Sequence, residues 1–543
     1  MSGKDTTRPP THAAGLVDGF LRSAREHSER PALEVGDRCL TYGQVAQEAA
    51  DLAATIAAND ADPRPMAGVL AYRSVTAYVG VLASLVSGKG YVPLNPNFPA
   101  DRTRKMLLRS GANVVTLGQE AHDHLLEVLP SVDRPLTIIC RDAEDVSELA
   151  ERWPAHSFLP ASALHRGGSL PASVHVSPEA TAYLLFTSGS TGEPKGVPIS
   201  HRNITSYLGY IGERYGIRPD DRVSQTFEMT FDCSVHDMFL TWGSGACLCC
   251  VPKRSTIAPA KFIRDKELSV WFSVPSVIMF MSRMRMLKPG VFPLLRWSLF
   301  AGEPLPATLA EKWQQAAPNS AVENIYGPTE ATITISHYRW DSESSPAECK
   351  NGVVPIGQAF STQRACMVDE QFRPLPPGQA GELCLAGSQV SAGYLDDEER
   401  TAAQFVRLPD GDDTVWYRTG DRVVADEGGC MCYLGRLDDQ VQVHGHRVEL
   451  QEVDCALRKA AETEMAVAVA HNSTDGRTEG ICGFVCGSDS STKAQGILKL
   501  CRQLLPSYMV PQRIIFLSSL PLNPNGKIDR GALAKRLEAG RDE

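Results

Sequence analysis

The sequence contains no run of about eighteen uncharged apolar residues, so nothing in it reads as a membrane-spanning helix. Its first twelve residues are polar and Pro-containing and lack the apolar segment of an export signal. A Walker loop ends in Gly-Lys-Ser/Thr, and none is present, because Gly88-Lys89 is followed by Gly90 and Gly526-Lys527 by Ile528. No Gly-x-Ser-x-Gly elbow occurs either, which excludes a serine hydrolase of that type. Positive charge is also short. With 54 Lys and Arg against 64 Asp and Glu the net charge is −10. That argues against nonspecific nucleic-acid binding, whose main term is neutralisation of phosphates by basic side chains. The fifteen cysteines are scattered except at Cys247-Leu-Cys249-Cys250 and Cys430-Met-Cys432, and neither cluster has a second ligand pair at zinc-site spacing. They read as buried free thiols, and an odd number of them without an export signal points to a reducing cytoplasm.

What is present is a loop of unusual composition. Residues 187–196, Thr-Ser-Gly-Ser-Thr-Gly-Glu-Pro-Lys-Gly, hold three glycines, four hydroxyl side chains and one lysine directly behind the apolar run 183–186. A strand opening into such a loop presents N–H groups, hydroxyls and an ammonium to anionic oxygens, as a phosphate cradle does. Taken alone, such a loop is more often a flexible turn than a nucleotide site.

The rest of the chain alternates helical and strand-like periodicity. Residues 1–14 read as a disordered lead. Strands are expected at 32–35, 39–42, 66–72, 91–94 and 113–117, with helices from 42 and over 75–87. Residues 141–172 read as a surface connection. Strand or strand-helix elements follow at 231–240, 246–251, 270–274, 297–300 and 322–326. This alternation implies parallel sheets covered by helices. From 357 to 433 turn residues and short runs indicate a β-rich region, 435–445 reads as a linker, and beyond it helices near 450–463 and 491–505 belong to a compact α/β unit.

Further segments have the composition of a ligand site. In Asn324-Ile-Tyr-Gly-Pro-Thr-Glu330, Tyr326 is suited to stack on a base, Thr329 to meet a phosphate and Glu330 to hold Mg²⁺ through oxygen. Tyr417-Arg-Thr-Gly-Asp421 ends in a carboxylate suited to the two hydroxyls of a ribose. Gly435-Arg-Leu-Asp-Asp439 places Arg436 and two acids at the expected junction, and Lys527 sits on a Pro- and Gly-bounded loop.

In this order, these segments resemble the adenylate-forming (AMP-binding) superfamily, and more narrowly its amino-acid adenylation domains of the peptide-synthetase type. The resemblance runs from Leu40-Thr-Tyr42 through Gly88–Leu94, the 187–196 loop, Phe231-Asp-Cys-Ser234, Asn324–Glu330, Gly381-Glu-Leu383, Tyr417–Asp421 and Leu505–Pro511 to Asn525-Gly-Lys527. It implies an α/β fold: a core over 15–437 of two α/β subdomains and a β-rich subdomain, and a small mobile lid over 438–543 with Asp438 as hinge. It also implies ATP and Mg²⁺ as cofactors, and two half-reactions. In the first, a substrate carboxylate attacks the α-phosphate of ATP and pyrophosphate leaves. In the second, the thiol of a phosphopantetheinylated carrier protein takes the acyl group.

Thr187, Ser188, Gly189, Ser190, Thr191, Gly192 and Lys195 would hold phosphates. Gly302, Asn324, Tyr326, Gly327, Thr329, Asp421, Tyr433 and Arg436 would hold the rest of the nucleotide. Glu330 would bind Mg²⁺, and Lys527 would bridge carboxylate and α-phosphate, with Thr187, Glu330 and Lys527 as the catalytic set.

By the same resemblance Asp232 pairs with the substrate's α-ammonium; on its residue type alone it would equally cap a helix. The pocket would be completed by Cys233, His236, Ser273, Leu299, Ala301, Ile325, Ile333 and Thr334, which suits a small or medium neutral amino acid. D-alanine–carrier-protein ligases are similar at residues 300–306 and His444-Gly-His-Arg447, but usually have cysteine where Ala301 stands. Gln442 replaces a lysine the family often uses in the second half-reaction. The chain carries no Gly-Gly-x-Ser carrier site, so the expected acceptor is a separate carrier protein, with no nucleic-acid or membrane partner. An acyl- or aryl-CoA synthetase is the competing expectation.

Overall fold

The computed structural model describes residues 15–59, 65–189, 193–252, 258–409, 412–472, 478–487, 491–521 and 528–539. Two large sheets dominate. The first orders its seven strands Ser157–Pro160, Thr137–Cys140, Val114–Leu117, Met66–Leu70, Gly90–Leu94, Thr181–Thr187 and Lys195–Ser200. All neighbours are parallel except the last pair, a hairpin in which Thr187 faces Lys195. Met66–Leu70 and Gly90–Leu94 are buried at every position, as central parallel strands covered on both faces must be.

The second sheet has nine strands, with Ala321–Tyr326, Trp297–Phe300, Val270–Ser273, Arg222–Gln225, Cys247–Cys250 and Pro31–Val35 running parallel through its centre. Helix Val75–Val86 packs on the first sheet and helix Cys233–Gly243 on the second. Tyr78 of one meets Trp242 of the other edge to face, with centroids 6.4 Å apart. Almost every residue of both helices is buried, and one apolar cluster runs from Val69 and Tyr183 to Leu248, Phe272 and Leu299. Burial between two sheets therefore explains why neither helix has a polar face.

The β-rich region is an antiparallel sheet of Gln363–Val368, Ala380–Gly387, Trp416–Ala425, Phe405–Val406 and Met431–Arg436. Beyond it lie a hairpin, Gln440–Val443 with His446–Glu449, and a three-stranded sheet with helices Leu450–Ala461, Ser491–Leu504 and Arg530–Ala539. Residues 443–537 supply their own apolar clusters.

Two expectations change. Within 141–172, helix Ser147–Arg152 leads to strand Ser157–Pro160, which forms the sheet's edge; only Phe158 of that strand is buried, so no apolar run marks it. Residues 435–445 are not an irregular linker. They join strands Met431–Arg436 and Gln440–Val443 through a short turn pinned by Arg436, which hydrogen-bonds Thr419, Asp421, Asp438 and Gln440. The expected lead at 1–14 lies outside the described residues. Among the described residues no helix is long and apolar enough to cross a membrane.

Candidate functional site

The glycine-rich loop leaves the carboxyl end of strand Thr181–Thr187 and returns as Lys195–Ser200. Ser188 and Lys195 are buried, and Thr187 Oγ1 is buried without a hydrogen-bond partner among the described residues. Ser190, Thr191, Gly192 and Lys527 lie outside the described residues. Lys195 Nζ stands 3.6 Å from Glu330 and 3.8 Å from Glu449, over the ring of Tyr394. Burial and the nearby Arg447 guanidinium lower its ammonium to about 8, against the pull of the two carboxylates.

Glu330 follows strand Ala321–Tyr326 in a short 3₁₀ turn, Thr329–Ala331. The chain doubles back so closely that a Cβ on Gly327 would lie 2.5 Å from the Cα of Thr334, so glycine is required there. Glu330 is fully buried and accepts from Tyr394 Oη at 2.8 Å and from Arg447 Nη1 at 2.9 Å. Burial alone would raise its carboxyl, but Arg447 and Lys195 outweigh it and hold it at about 2.

Gly302, Asn324, Tyr326, Gly327, Asp421, Tyr433 and Arg436, spread over the second sheet and the β-rich region, line one cavity. Asp421 accepts from Arg436 at 2.7 Å and from the Tyr326 hydroxyl. Gln442 lines the same cavity, with its Oε1 buried and unpartnered among the described residues. Thr329 stands beside Asp232, where its hydroxyl favours the charged form of that carboxyl.

Ser273, Leu299 with Ala301, and Ile325 come from the carboxyl ends of three adjacent parallel strands, where ligands of open α/β sheets bind. Cys233 and His236 face them from the helix that begins after Asp232, and Ile333 and Thr334 belong to the loop that doubles back over Gly327. Asp232 does not cap that helix: its side chain makes no cap hydrogen bond. It is 7 % exposed, and burial pushes its carboxyl up to about 6 although Thr329 donates to it.

Four contributors fall outside the site residues expected from the sequence: Tyr394 and Arg447 on Glu330, Tyr207 behind His236, and Glu303, which accepts from Gly445 N and Ser276 N at 2.7 Å each. The segment 445–452 covers the loop. Ser188 Oγ donates to the Arg447 carbonyl at 2.7 Å and accepts from Glu449 N at 3.1 Å, and Gly189 N donates to Glu452 at 3.3 Å. Glu452 pairs with Arg102, both nearly buried.

Known proteins share this architecture. The adenylation domain AlmE of Vibrio cholerae, whose crystal structure is in complex with glycyl-adenosine-5'-phosphate, is 30% identical, with a TM-score of 0.86 over 99% of this chain and 100% of that one. Tyrocidine synthase 2 of Brevibacillus parabrevis is 31% identical over 520 residues, 95% of this chain and 13% of the synthase. Phosphinothricin tripeptide synthetase PhsC of Streptomyces viridochromogenes is 32% identical over 540 residues, 98% of this chain and 46% of the synthetase. This chain thus spans less than half the length of those two curated relatives. The AMP-binding enzyme family matches residues 20–395, more than half of the 543 residues, and the chain belongs to that family.

Proposed function

We propose that this protein activates a small neutral amino acid with ATP as the aminoacyl-adenylate, releasing pyrophosphate, and then passes the acyl group to the pantetheine thiol of a carrier protein. The observation that carries the reading is the buried Asp232 carboxylate beside the cavity lined by Asn324, Tyr326, Asp421 and Arg436. A carboxylate in that position favours a substrate that brings its own cation. AlmE, with its glycyl-adenylate, supports a small substrate.

The residues fit a nucleotide. Thr187 Oγ1 is an orphaned buried hydroxyl at the cradle, Lys195 is a buried cation behind it, and Asp421 offers a carboxylate to a ribose. Acyl and phosphoryl transfer need positioning and neutralisation of charge developing on oxygen, which these groups supply. Glu330 is the carboxylate that would hold Mg²⁺, whose part is to neutralise phosphate charge. Lys527 is proposed to bridge the substrate carboxylate and the α-phosphate. Residues 438–543 are proposed to act as a lid hinged at Asp438, a reading supported by their separate apolar clusters. Beside the pocket opens a cavity of about 490 Å³ lined by Phe227, Phe231, Val274, Met279, His444 and His446. With Thr226 and Ser276 also in its wall, it is suited to a slender thiol arm whose amide groups need hydrogen-bond partners.

Amino-acid-dependent ATP–pyrophosphate exchange tests the reading. A panel of amino acids, including D-alanine, is run beside aryl and fatty acids on the unaltered protein and on Asp232→Asn. Exchange with a small amino acid that disappears in the variant is the expected result. Undiminished activity of the variant with an aryl or fatty acid would reverse the assignment.

A further inference from the structure

The lining of the proposed amino-acid pocket is almost sealed. Cys233 and Ala301 are 3 % exposed, His236, Ile325, Ile333 and Thr334 1 %, and Ser273 and Leu299 0 %. A water molecule would find hardly any of these side chains to touch, whereas even one aromatic side chain buries about 150–250 Å².

A short polar chain runs through this tightly packed lining. Thr334 Oγ1 donates to Tyr207 Oη at 3.2 Å, and Tyr207 Oη lies 2.6 Å from His236 Nδ1. With the tyrosine oxygen accepting from Thr334, its own proton finds an acceptor at Nδ1 when the neutral ring carries its proton on Nε2. Burial keeps that ring neutral, lowering its imidazolium to about 3. Phe272 stands against the imidazole with centroids 4.9 Å apart and Tyr215 at 6.0 Å, so the ring is held from several sides.

Tyr207 itself is fully buried on helix His201–Tyr215, with Phe360 at 6.3 Å. At the other end of the chain of hydrogen bonds, Thr332 (φ +58°) and Ile333 (φ +71°) adopt left-handed backbone that β-branched residues avoid. Gln389 Nε2 holds the bend by donating to the Thr334 carbonyl at 2.8 Å.

We propose that Tyr207 is a specificity-determining residue: the hydrogen-bonded chain Thr334–Tyr207–His236 is a fixed floor that admits only a hydrogen or a methyl group, so that the substrates are glycine and alanine. This rests on the amino-acid reading above and names its substrate class. Tyr207 acts through His236. Without its hydroxyl, Nδ1 and the Thr334 hydroxyl both lose this partner in a buried site, and the imidazole is freed to turn out of the floor.

The test is ATP–pyrophosphate exchange with glycine, L- and D-alanine, valine and leucine in the unaltered protein, Tyr207→Phe and His236→Ala, with His236→Asn as a milder replacement. The unaltered protein should favour glycine or alanine over valine and leucine by about 100-fold or more in kcat/KM. Tyr207→Phe and His236→Ala should each shrink that ratio about tenfold, the tyrosine variant while losing only one oxygen atom, and His236→Asn should shrink it less. A merely structural role for Tyr207 would lower kcat/KM for all substrates by one factor and leave the ratios intact, and that result would overturn the proposal. So would an unaltered protein that takes valine or leucine as readily as glycine. If the unaltered protein exchanged with aryl or fatty acids and no amino acid, the amino-acid reading would fall and the floor proposal with it.

Discussion

Replacing Arg447 with methionine should separate the two proposed half-reactions. Glu330 is fully buried and its carboxylate is shared among Arg447 at 2.9 Å, Tyr394 at 2.8 Å and Lys195 at 3.6 Å. Arg447, Tyr394 and Lys195 already engage both of its oxygens, so a metal ion would compete with Arg447 for Oε2, and on the proposed lid motion this docked arrangement suits the step after pyrophosphate has left. Methionine keeps most of the apolar stem and removes the charge. Truncating one partner of a buried pair costs about 3–5 kcal/mol, and the remaining Lys195 places this site at about 3 kcal/mol. At about 1.4 kcal/mol per factor of ten, the docked arrangement loses roughly 100-fold in population. The backbone contacts of Ser188 to residues 447 and 449 survive the substitution. Exchange, which on the proposed lid motion does not use the docked arrangement, should stay within about threefold. Single-turnover transfer from preformed adenylate to pantetheine should fall by roughly 100-fold. An equal loss in both assays, or undiminished transfer, would refute the reasoning.

Further outcomes follow from single groups. Burial holds the Asp232 proton up to about pH 6, and a protonated carboxyl cannot pair with an ammonium, so kcat/KM for the amino acid should fall about tenfold per pH unit below 6 and be flat above it; a pH profile of exchange whose acid limb lies near 4 would contradict this. Asp421→Asn should raise KM for ATP by about 10- to 100-fold with the amino-acid KM unchanged, because Arg436 keeps Thr419, Asp438 and Gln440 as acceptors and the local fold persists. Arg102→Met should lower unfolding free energy in urea by about 3 kcal/mol by stranding the buried Glu452, and adding Glu452→Leu should recover most of that loss; if the double variant is no better than the single, the pair is not the cause.

Much of this arrangement is legible along the chain because it is local. Strand Trp297–Phe300 falls on the expected residues, and the hairpin that turns from Thr187 to Lys195 follows from an apolar run ending in glycine and hydroxyl residues. The cavity residues from Gly302 to Arg436 are legible only through the order of their motifs, since no periodicity relates them. Partnerships across long separations leave no trace at all. Nothing about Tyr394 announces Glu330, 64 positions away, and nothing about Tyr207 announces His236, 29 positions away on another helix. Residue type alone does not direct Thr329, since a hydroxyl serves a carboxylate as well as a phosphate, and its place beside Asp232 is set by packing.

The places where local rules fail are informative in themselves. Thr332 and Ile333 are β-branched, and their intrinsic preference is extended backbone, yet both stand at positive φ. The structure pays for that strain with the Gln389 hydrogen bonds and with a glycine at 327, the residue that lets the loop close. Conflict between local preference and global fold is expected where a site must be shaped instead of merely packed. Replacing Thr332 by glycine relieves this backbone but removes a buried hydroxyl that donates to the Gln389 carbonyl, so the fold should lose no more than about 1–2 kcal/mol. The substitution should also blur selection between glycine and larger amino acids, because the freed loop no longer sets Thr334 against Tyr207. A larger loss of stability with unchanged selectivity would show that the strained backbone does not shape the pocket.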